Sequence, residues 1–191
     1  FFRVCDGGTK KREGKMRKSE GQLTRLSKRN LIAAVLAAFA AGGLALMAGA
    51  AETYEVDRFD DSAAAVSCTG AANDCSLRGA ITAANIDGQA STIVLPDGTY
   101  ELSIAGAGED YNLTGDLDIR EALEITAATG ASPVIEQTVA DRVIETFNAI
   151  GDLTIRGPMT ITGGNVASSS GGLIRAFRNG SLTLEDVVLE D

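Results

Sequence analysis

The 191-residue chain contains no histidine and only three cysteines and three prolines. Without histidine it has no imidazole for acid–base catalysis or for metal binding. Lysine is absent after residue 50, where seven arginines face 23 acidic residues and leave a net charge of −16. Such a surface repels nucleic acids and anionic membranes and suits an extracellular setting, with plain solubility as the simpler explanation of the acidity.

The first 50 residues differ in composition from the rest of the chain. Met16 is the first methionine, and basic residues after it lead into an uncharged apolar run over Leu31–Met47. Residues 16–50 are therefore predicted to be a signal peptide, and residues 1–15 are predicted to be a disordered upstream extension.

Small residues follow the apolar run at 48–50. Only small side chains fit the cleft of a signal peptidase, so cleavage is expected between Ala50 and Ala51. An uncleaved membrane anchor is the alternative, because residues 31–50 are just long enough to span a bilayer.

Two cysteines, Cys68 and Cys75, remain in the predicted mature chain. An even number of cysteines in an exported chain predicts a disulfide, which here would close a short polar loop. A metal site is the alternative, but two cysteines have no histidine or second cysteine pair to complete it.

The segment SLRGAITAAN at 76–85 has the apolar spacing of a short amphipathic helix. Leu77, Ala80, Ile81 and Ala84 fall at i, i+3, i+4 and i+7 and would form one face. After this segment, short runs of alternating apolar residues between glycine-marked turns predict strands.

Three of these alternating segments recur at a nearly constant interval. LEIT begins at residue 123, LTIR at 153 and LTLE at 182, which are 30 and 29 residues apart. Short strands at such a period predict a coiled, all-β solenoid, in which each coil stacks its Leu, Ile and Val on the coil before. A β-sandwich is the structural alternative.

The two ends of a solenoid expose unpaired backbone and apolar side chains, which need to be covered. Residues 51–90, with the predicted helix, are expected to form an N-terminal cap, and residues 91–191 the first coils. The chain stops directly after a segment that has the pattern of a strand, so we expect it to be the front piece of a longer protein.

The stretch DCSLRGAITAAN at 74–85 resembles the CSLREA domain, which is named for its Cys-Ser-Leu-Arg-Glu-Ala motif. The matching residues are Cys75, Ser76, Leu77, Arg78 and Ala80. The resemblance covers residues 52–191, and GGLI at 171–174 is similar to a motif of polymorphic outer-membrane repeat proteins. It implies a right-handed parallel β-helix of the pectin-lyase-like kind, in a bacterial protein that is secreted or held at the cell surface or outer membrane.

One residue departs from the motif, because Gly79 stands where the family has glutamate. With Ser76 as the N-cap, a glutamate at 79 would accept a hydrogen bond from the backbone N–H of the cap and complete a capping box. Asp74 is the alternative N-cap. On this account Gly79→Glu is expected to raise the melting temperature.

Arg78 and the aspartates of an acidic loop are the residues to which a function is most readily assigned. In a cap helix, Arg78 is expected to pair with a carboxylate or a carbonyl rather than to take part in catalysis. Asp110, Asp116 and Asp118 lie in and after a glycine-rich loop and are candidate oxygen ligands for Ca²⁺, with a solvated acidic loop as the alternative.

These features predict an exported surface protein with a structural or adhesin-like binding role and no catalytic residue in this chain. Its partner would be an extracellular polysaccharide or a cell-surface ligand, with no nucleic acid, and with membrane contact only through the signal segment or a missing C-terminal anchor. The alternative is a polysaccharide lyase or glycosidase of the same fold, whose active site lies mostly in missing C-terminal coils. The candidate residues of that enzyme within this chain are Arg142, Arg156, Arg175 and Asp152.

Overall fold

The structure is a computed structural model that describes residues 51–147, 152–166, 171–177 and 180–190. The chain divides into two units, and these residues all belong to the second, Ala48–Asp191. The predicted upstream extension, the signal peptide and the cleavage position at Ala50 lie outside the described residues.

The described residues form parallel strands that are stacked as a β-solenoid of about three turns, together with one short helix. The helix, α1, spans Leu77–Asp87. The strands are β1 (Thr53–Glu55), β2 (Ser91–Leu95), β3 (Thr99–Leu102), β4 (Leu117–Ile119), β5 (Leu123–Ala127), β6 (Val134–Gln137), β7 (Ile144–Thr146), β8 (Leu153–Thr162), β9 (Ile174–Ala176) and β10 (Leu182–Glu190).

The strands stack in three columns, and every strand pair is parallel. The first column is β1, β2, β5 and the first half of β8, the second is β3, β6 and the second half of β8, and the third is β4, β7 and β9. β10 lies on β8 along both halves. The predicted solenoid is thereby confirmed, and the sandwich alternative is wrong because sandwich strands pair antiparallel.

The segments that repeat in the sequence are the strands that pair with one another in the first column. Leu123 pairs with Leu153, and Leu153 pairs with Leu182, so the three segments of the repeat lie one above another. In the same column Ile93, Ile125 and Ile155 stack in register, and each is fully buried. Burial of one such side chain contributes about 1.5–3 kcal/mol to folding.

Helix α1 buries the face that the spacing predicted and contacts β2 and β4. Ser76 is the N-cap, since its hydroxyl accepts a hydrogen bond from the N–H of Gly79 at 2.9 Å. Gly88 ends the helix in the left-handed conformation, at φ 66°, which glycine adopts without a Cβ clash. Asp74 is not the N-cap, because its carboxylate accepts from the backbone N–H and hydroxyl of Thr69 instead.

Gly79 has no room for the side chain that the motif would place there. A Cβ at this position would lie 1.8 Å from the carbonyl oxygen of Ala65. That carbonyl accepts the hydrogen bond from the backbone N–H of Ser76 at 3.1 Å, which is the bond a capping-box glutamate would accept. The capping-box expectation is therefore wrong for this chain, because a backbone carbonyl already fills the role and the space.

The predicted disulfide between Cys68 and Cys75 is confirmed. Cys75 is buried, and its backbone N–H donates to the Asp57 carboxylate at 2.9 Å. The same carboxylate accepts from the N–H of Asn73, so the bridged loop is also fastened to the segment before it.

Candidate functional site

A row of charged side chains crosses the third column of strands. Asp118 of β4 pairs in register with Glu145 of β7, which pairs with Arg175 of β9. Side chains alternate along a strand, so these three residues share the face opposite the apolar stack of Leu117 and Ile144. Asp118 and Glu145 are nevertheless buried, because other parts of the chain cover this face.

The cover over Asp118 is the loop of residues 105–116. Glu109 organises it, since its carboxylate accepts hydrogen bonds from the backbone N–H groups of Tyr111, Leu113 and Thr114. Asn112 is fully buried and pairs with Asp118: its N–H donates to Asp118 Oδ2 at 2.7 Å, and the N–H of Asp118 donates to Asn112 Oδ1 at 3.2 Å. Glu109 therefore holds the loop in its shape, and Asn112 fastens the loop to Asp118 of β4.

Arg78 ties helix α1 to the end of this loop. Its side chain is fully buried and forms an ion pair with Asp61 at 2.6 Å. It also donates to the carbonyl oxygens of Gly115 at 2.7 Å and Asp116 at 2.9 Å. Arg78 thus makes both kinds of contact that the sequence suggested, one with a carboxylate and the other with carbonyls.

Charges of alternating sign continue from Asp116 across the column. Arg142 pairs with Asp116 at 3.1 Å and with Glu145, and Arg175 donates to the other oxygen of Glu145 at 2.9 Å. The guanidinium of Arg175 also lies 4.7 Å from the ring centre of Phe177, as in a cation–π contact. Two arginines are therefore held in place by one buried carboxylate.

Burial changes the acidity of the two aspartates beneath the loop. Desolvation, reinforced by the negative charge of Asp141, raises the pKa of Asp116 to about 6 despite its pairing with Arg142. Desolvation also raises the pKa of Asp118 to about 8, although the hydrogen bond from Asn112 opposes the shift. Asp118 is therefore mostly protonated at neutral pH, whereas Asp116 is mostly charged.

An open groove of about 560 Å³ lies beside this network. One wall is the loop, and the floor is formed by residues of β7, β9 and the turn before β7. Two phenyl rings, of Phe147 and Phe177, line it together with small residues. The charged residues that line it are Glu109, Asp110, Asp141, Arg142, Glu145 and Arg175.

The three aspartates proposed as calcium ligands have different surroundings. Asp110 lines the groove, Asp116 pairs with Arg142, and Asp118 lies under the loop against Asn112. Within the described residues no group of three or more acidic or cysteine side chains is arranged to hold a metal ion. The structure therefore offers no calcium site from these residues.

The four residues considered for an enzyme lie in two separate places. Arg142 and Arg175 line the groove. Arg156 instead pairs with Glu185 at 3.0 Å on the first column, and Asp152 accepts from the N–H and hydroxyl of Ser181. No shared site joins these four side chains in the part of the chain that the structure describes.

Sequence reasoning overlooked Glu145 and the two phenylalanines. Phe147 and Phe177 are 30 residues apart, as are Leu123 and Leu153, so the repeat already places them at equivalent positions of successive coils. Extending the repeat from the leucines to every position of the coil would have identified both residues.

Across residues 51–147, 152–166, 171–177 and 180–190, the structure contains no helix with the length and hydropathy that a membrane span requires. Comparison of the chain with protein-family models, with curated proteins and with solved structures gives no match in any of the three.

Proposed function

We propose that this chain is an exported bacterial protein of the CSLREA-domain kind, whose β-solenoid serves as a structural, adhesin-like binding module. Residues 16–50 would direct export, with cleavage after Ala50, and the mature protein would be secreted or held at the cell surface. The Cys68–Cys75 disulfide supports this location, because disulfides persist in oxidising compartments. The net charge of −16 over residues 51–191 suits a soluble extracellular surface.

Helix α1 would cap the first coil of a right-handed solenoid. Its buried residues include Leu77 and Ile81, and the helix contacts β4 of the third column and β2 of the first. Such a helix covers apolar side chains and unpaired backbone that the first coil would otherwise expose.

The fixed charges of the groove are the observation that favours binding over catalysis. Glu145 pairs with both arginines of the groove, and Glu109 accepts hydrogen bonds from three backbone N–H groups of the loop. An ion-paired guanidinium stays protonated and is a poor general base. Rigid polar groups beside two phenyl rings suit the recognition of an extracellular polysaccharide or another surface ligand.

One observation favours the enzyme as a second candidate. Asp116 has a raised pKa, of about 6, and pairs with Arg142, which lines the groove. A carboxyl group whose pKa lies near neutral pH can act as a general acid or base, as the catalytic acid of a glycosidase does. Asp116 is itself buried beneath the loop, so a substrate would have to displace the loop to reach it.

Export and catalysis can be tested together in a bacterial host. We expect the chain to appear outside the cytoplasm with Ala51 as its first residue, and a variant that lacks residues 31–47 to stay in the cytoplasm. We also expect the purified protein to release no unsaturated product from uronate polysaccharides. Cytoplasmic retention of the intact chain would contradict export, and robust product formation would favour the enzyme.

A further inference from the structure

The loop beside the groove has an exposed part whose two ends meet. We call this part, residues 105–114, the lid. The N–H of Gly115 donates to the carbonyl oxygen of Ile104 at 2.8 Å, which closes the base of the lid. The N–H of Ile104 donates to the Asp61 carboxylate at 2.9 Å. Arg78 pairs with that carboxylate and donates to the carbonyl oxygen of Gly115, so one buried ion pair holds both ends of the lid.

The lid keeps its shape through hydrogen bonds of its own. Glu109 accepts from three backbone N–H groups within it, and the hydroxyl of Thr114 donates to the carbonyl oxygen of Gly106 at 2.7 Å. Little apolar surface holds the lid against the solenoid, since Tyr111 and Leu113 are 69% and 54% exposed. A segment with few buried apolar contacts opens at a low free-energy cost. Because its internal bonds need not break, the lid can move as one unit.

Asn112 fastens the lid to the solenoid. Among the described residues 105–114 it is the one residue that is buried. Its N–H donates to Asp118 of β4, and its Oδ1 accepts from the N–H of Asp118. Its Nδ2 donates to the carbonyl oxygen of Arg78 at 2.8 Å and to the hydroxyl of Thr82 at 2.9 Å, both in α1. The lid therefore has one main point of attachment beyond its base.

The carboxyl group beneath Asn112 is incompletely hydrogen-bonded while the lid is closed. Asp118 is fully buried, and its Oδ1 has no hydrogen-bond partner in the part of the chain that the structure describes. A neutral carboxyl group tolerates this arrangement better than a carboxylate does, because burying a charge without a donor costs far more free energy. Opening the lid would let water reach that oxygen. A charge on Asp118 therefore favours the open lid.

The charged groups around Asp118 act in the same direction. Desolvation raises its pKa to about 8, although the hydrogen bond from Asn112 opposes the shift. Neighbouring carboxylates add to the shift, and they are Asp116 on the same segment and Glu109 and Asp110 on the lid. Glu145 of β7 also lies beside Asp118 in register. The arginines of the neighbouring elements bind other groups, and they are Arg78 of α1, Arg142 before β7 and Arg120 after β4.

We infer that residues 105–114 are a lid over the groove that opens as one unit when Asn112 releases Asp118. Residues 107–110 form one wall of the groove, so opening removes that wall and hydrates Asp118. The inference goes beyond the proposed function, because the lid controls access whether the groove binds a ligand or cleaves one. A rise in pH through the range in which Asp118 ionises shifts the lid toward the open state.

Hydrogen exchange of single amides, followed by NMR on the 191-residue chain, tests the lid. Opening frees the N–H groups of both Asn112 and Asp118, so the two should share one protection factor within about threefold. That factor should lie at least about 100-fold below that of Ile125, a buried residue of the inner strand β5 that exchanges only when the solenoid unfolds.

The pH dependence of the same amides tests the role of Asp118. The closed lid gives Asp118 a pKa of about 8, and an open lid returns it to its ordinary value of about 3.9, so opening is favoured as pH rises between these values. From about pH 6 to pH 8, corrected for the intrinsic exchange rate, the protection of the Asn112 N–H should fall at least about tenfold.

Three variants assign the opening to its contacts, with the N–H at position 112 as the readout. Asn112→Ala removes three side-chain hydrogen bonds and should lower the protection of this N–H at least about tenfold. Leu113→Ala, the matched control, shortens an exposed side chain of the lid and should leave the protection unchanged within about threefold. Asp118→Asn does not ionise, so the dependence on pH should disappear. The Ile125 amide shows whether each variant stays folded.

Four results would overturn the inference. Protection of Asn112 and Asp118 equal to that of Ile125 would mean that the lid opens only when the solenoid unfolds. Clearly different protection of Asn112 and Asp118 would mean that the two are not released together. The inference also fails if Leu113→Ala loosens the lid as much as Asn112→Ala does, or if the pH dependence persists in Asp118→Asn. Export and catalysis are decided separately, by the fractionation and product assays.

Discussion

The carbonyl oxygen of Ala65 occupies the space in which a side chain at Gly79 would begin. A Cβ on Gly79 would lie 1.8 Å from that oxygen, and the same oxygen accepts the hydrogen bond from the backbone N–H of Ser76. The chain before the helix therefore completes the N-terminal cap and leaves room only for glycine at this position.

This relationship reverses the effect expected for Gly79→Glu. Replacing glycine by alanine inside a helix ordinarily stabilises it by about 1 kcal/mol. Here Gly79→Ala is expected to destabilise the protein by about 1–3 kcal/mol, because the methyl group must displace a backbone carbonyl, and Gly79→Glu by at least as much. Thermal unfolding measures the change, with Ile86→Ala as a helix control that lies 78% exposed. A raised melting temperature for Gly79→Glu would restore the capping-box account.

Arg78 should be among the most sensitive positions of the chain. Arg78→Met removes a fully buried guanidinium and leaves the Asp61 carboxylate buried without its ion-pair partner, a change that costs about 3–5 kcal/mol. Arg58 forms an ion pair of the same length with Asp60 at the surface, so Arg58→Met should cost much less, because water screens an exposed pair. Urea unfolding of the two variants compares them directly. Equal costs would mean that Arg78 contributes no more than a surface pair does.

The main elements of the fold could be predicted from the sequence because they depend on local periodicity. The repeat from Leu123 to Leu153 to Leu182 became the register of the first column, and the apolar spacing around Ile81 became the buried face of the helix. The disulfide followed from the number of cysteines and the expected compartment.

The groove could not be predicted in the same way, because its residues come from different coils. The loop that carries Glu109 lines the groove together with residues of β7 and β9 from later coils, and no local pattern encodes that packing. The lack of room for a side chain at Gly79 could not be predicted either, since it depends on Ala65, which lies 14 residues earlier in a segment of irregular structure. Motif resemblance suggested a glutamate there, whereas the tertiary contact requires glycine.

Asp118 should make the stability of the protein fall as pH rises. Its pKa is about 8 in the folded chain and about 3.9 in an unfolded one, so the folded state binds more protons between these values. This one group makes the free energy of unfolding fall by at most about 1.4 kcal/mol per pH unit. The stabilisation that Asp118 contributes is complete below about pH 4 and is lost by about pH 8.

Asp118→Asn should remove most of this slope. The amide keeps the shape of the side chain and an oxygen that accepts from Asn112, but it does not titrate. Carboxyls whose pKa is lowered, such as those of Asp60 and Asp87, lose their contribution only below about pH 4 and do not mask the effect. Asp116, whose pKa is raised to about 6, adds a slope of the same sign below about pH 6, so urea unfolding is compared between about pH 6 and pH 8, with Glu101→Gln as the control. A slope that survives in Asp118→Asn would assign it to another group.

The stacking of the coils also predicts that replacing equivalent apolar residues by alanine lowers the free energy of unfolding by unequal amounts. Ile155 lies in register between Ile125 on one side and Leu184 on the other, and Ile125 is fully buried whereas Leu184 is 37% exposed. Ile125→Ala should therefore cost about 2–5 kcal/mol, because it leaves a cavity between two stacked coils. Leu184→Ala in this chain should cost clearly less, because its side chain is already 37% exposed. Chemical denaturation of the two variants measures both costs, and similar values would show that the last strand packs as tightly as the inner coils do.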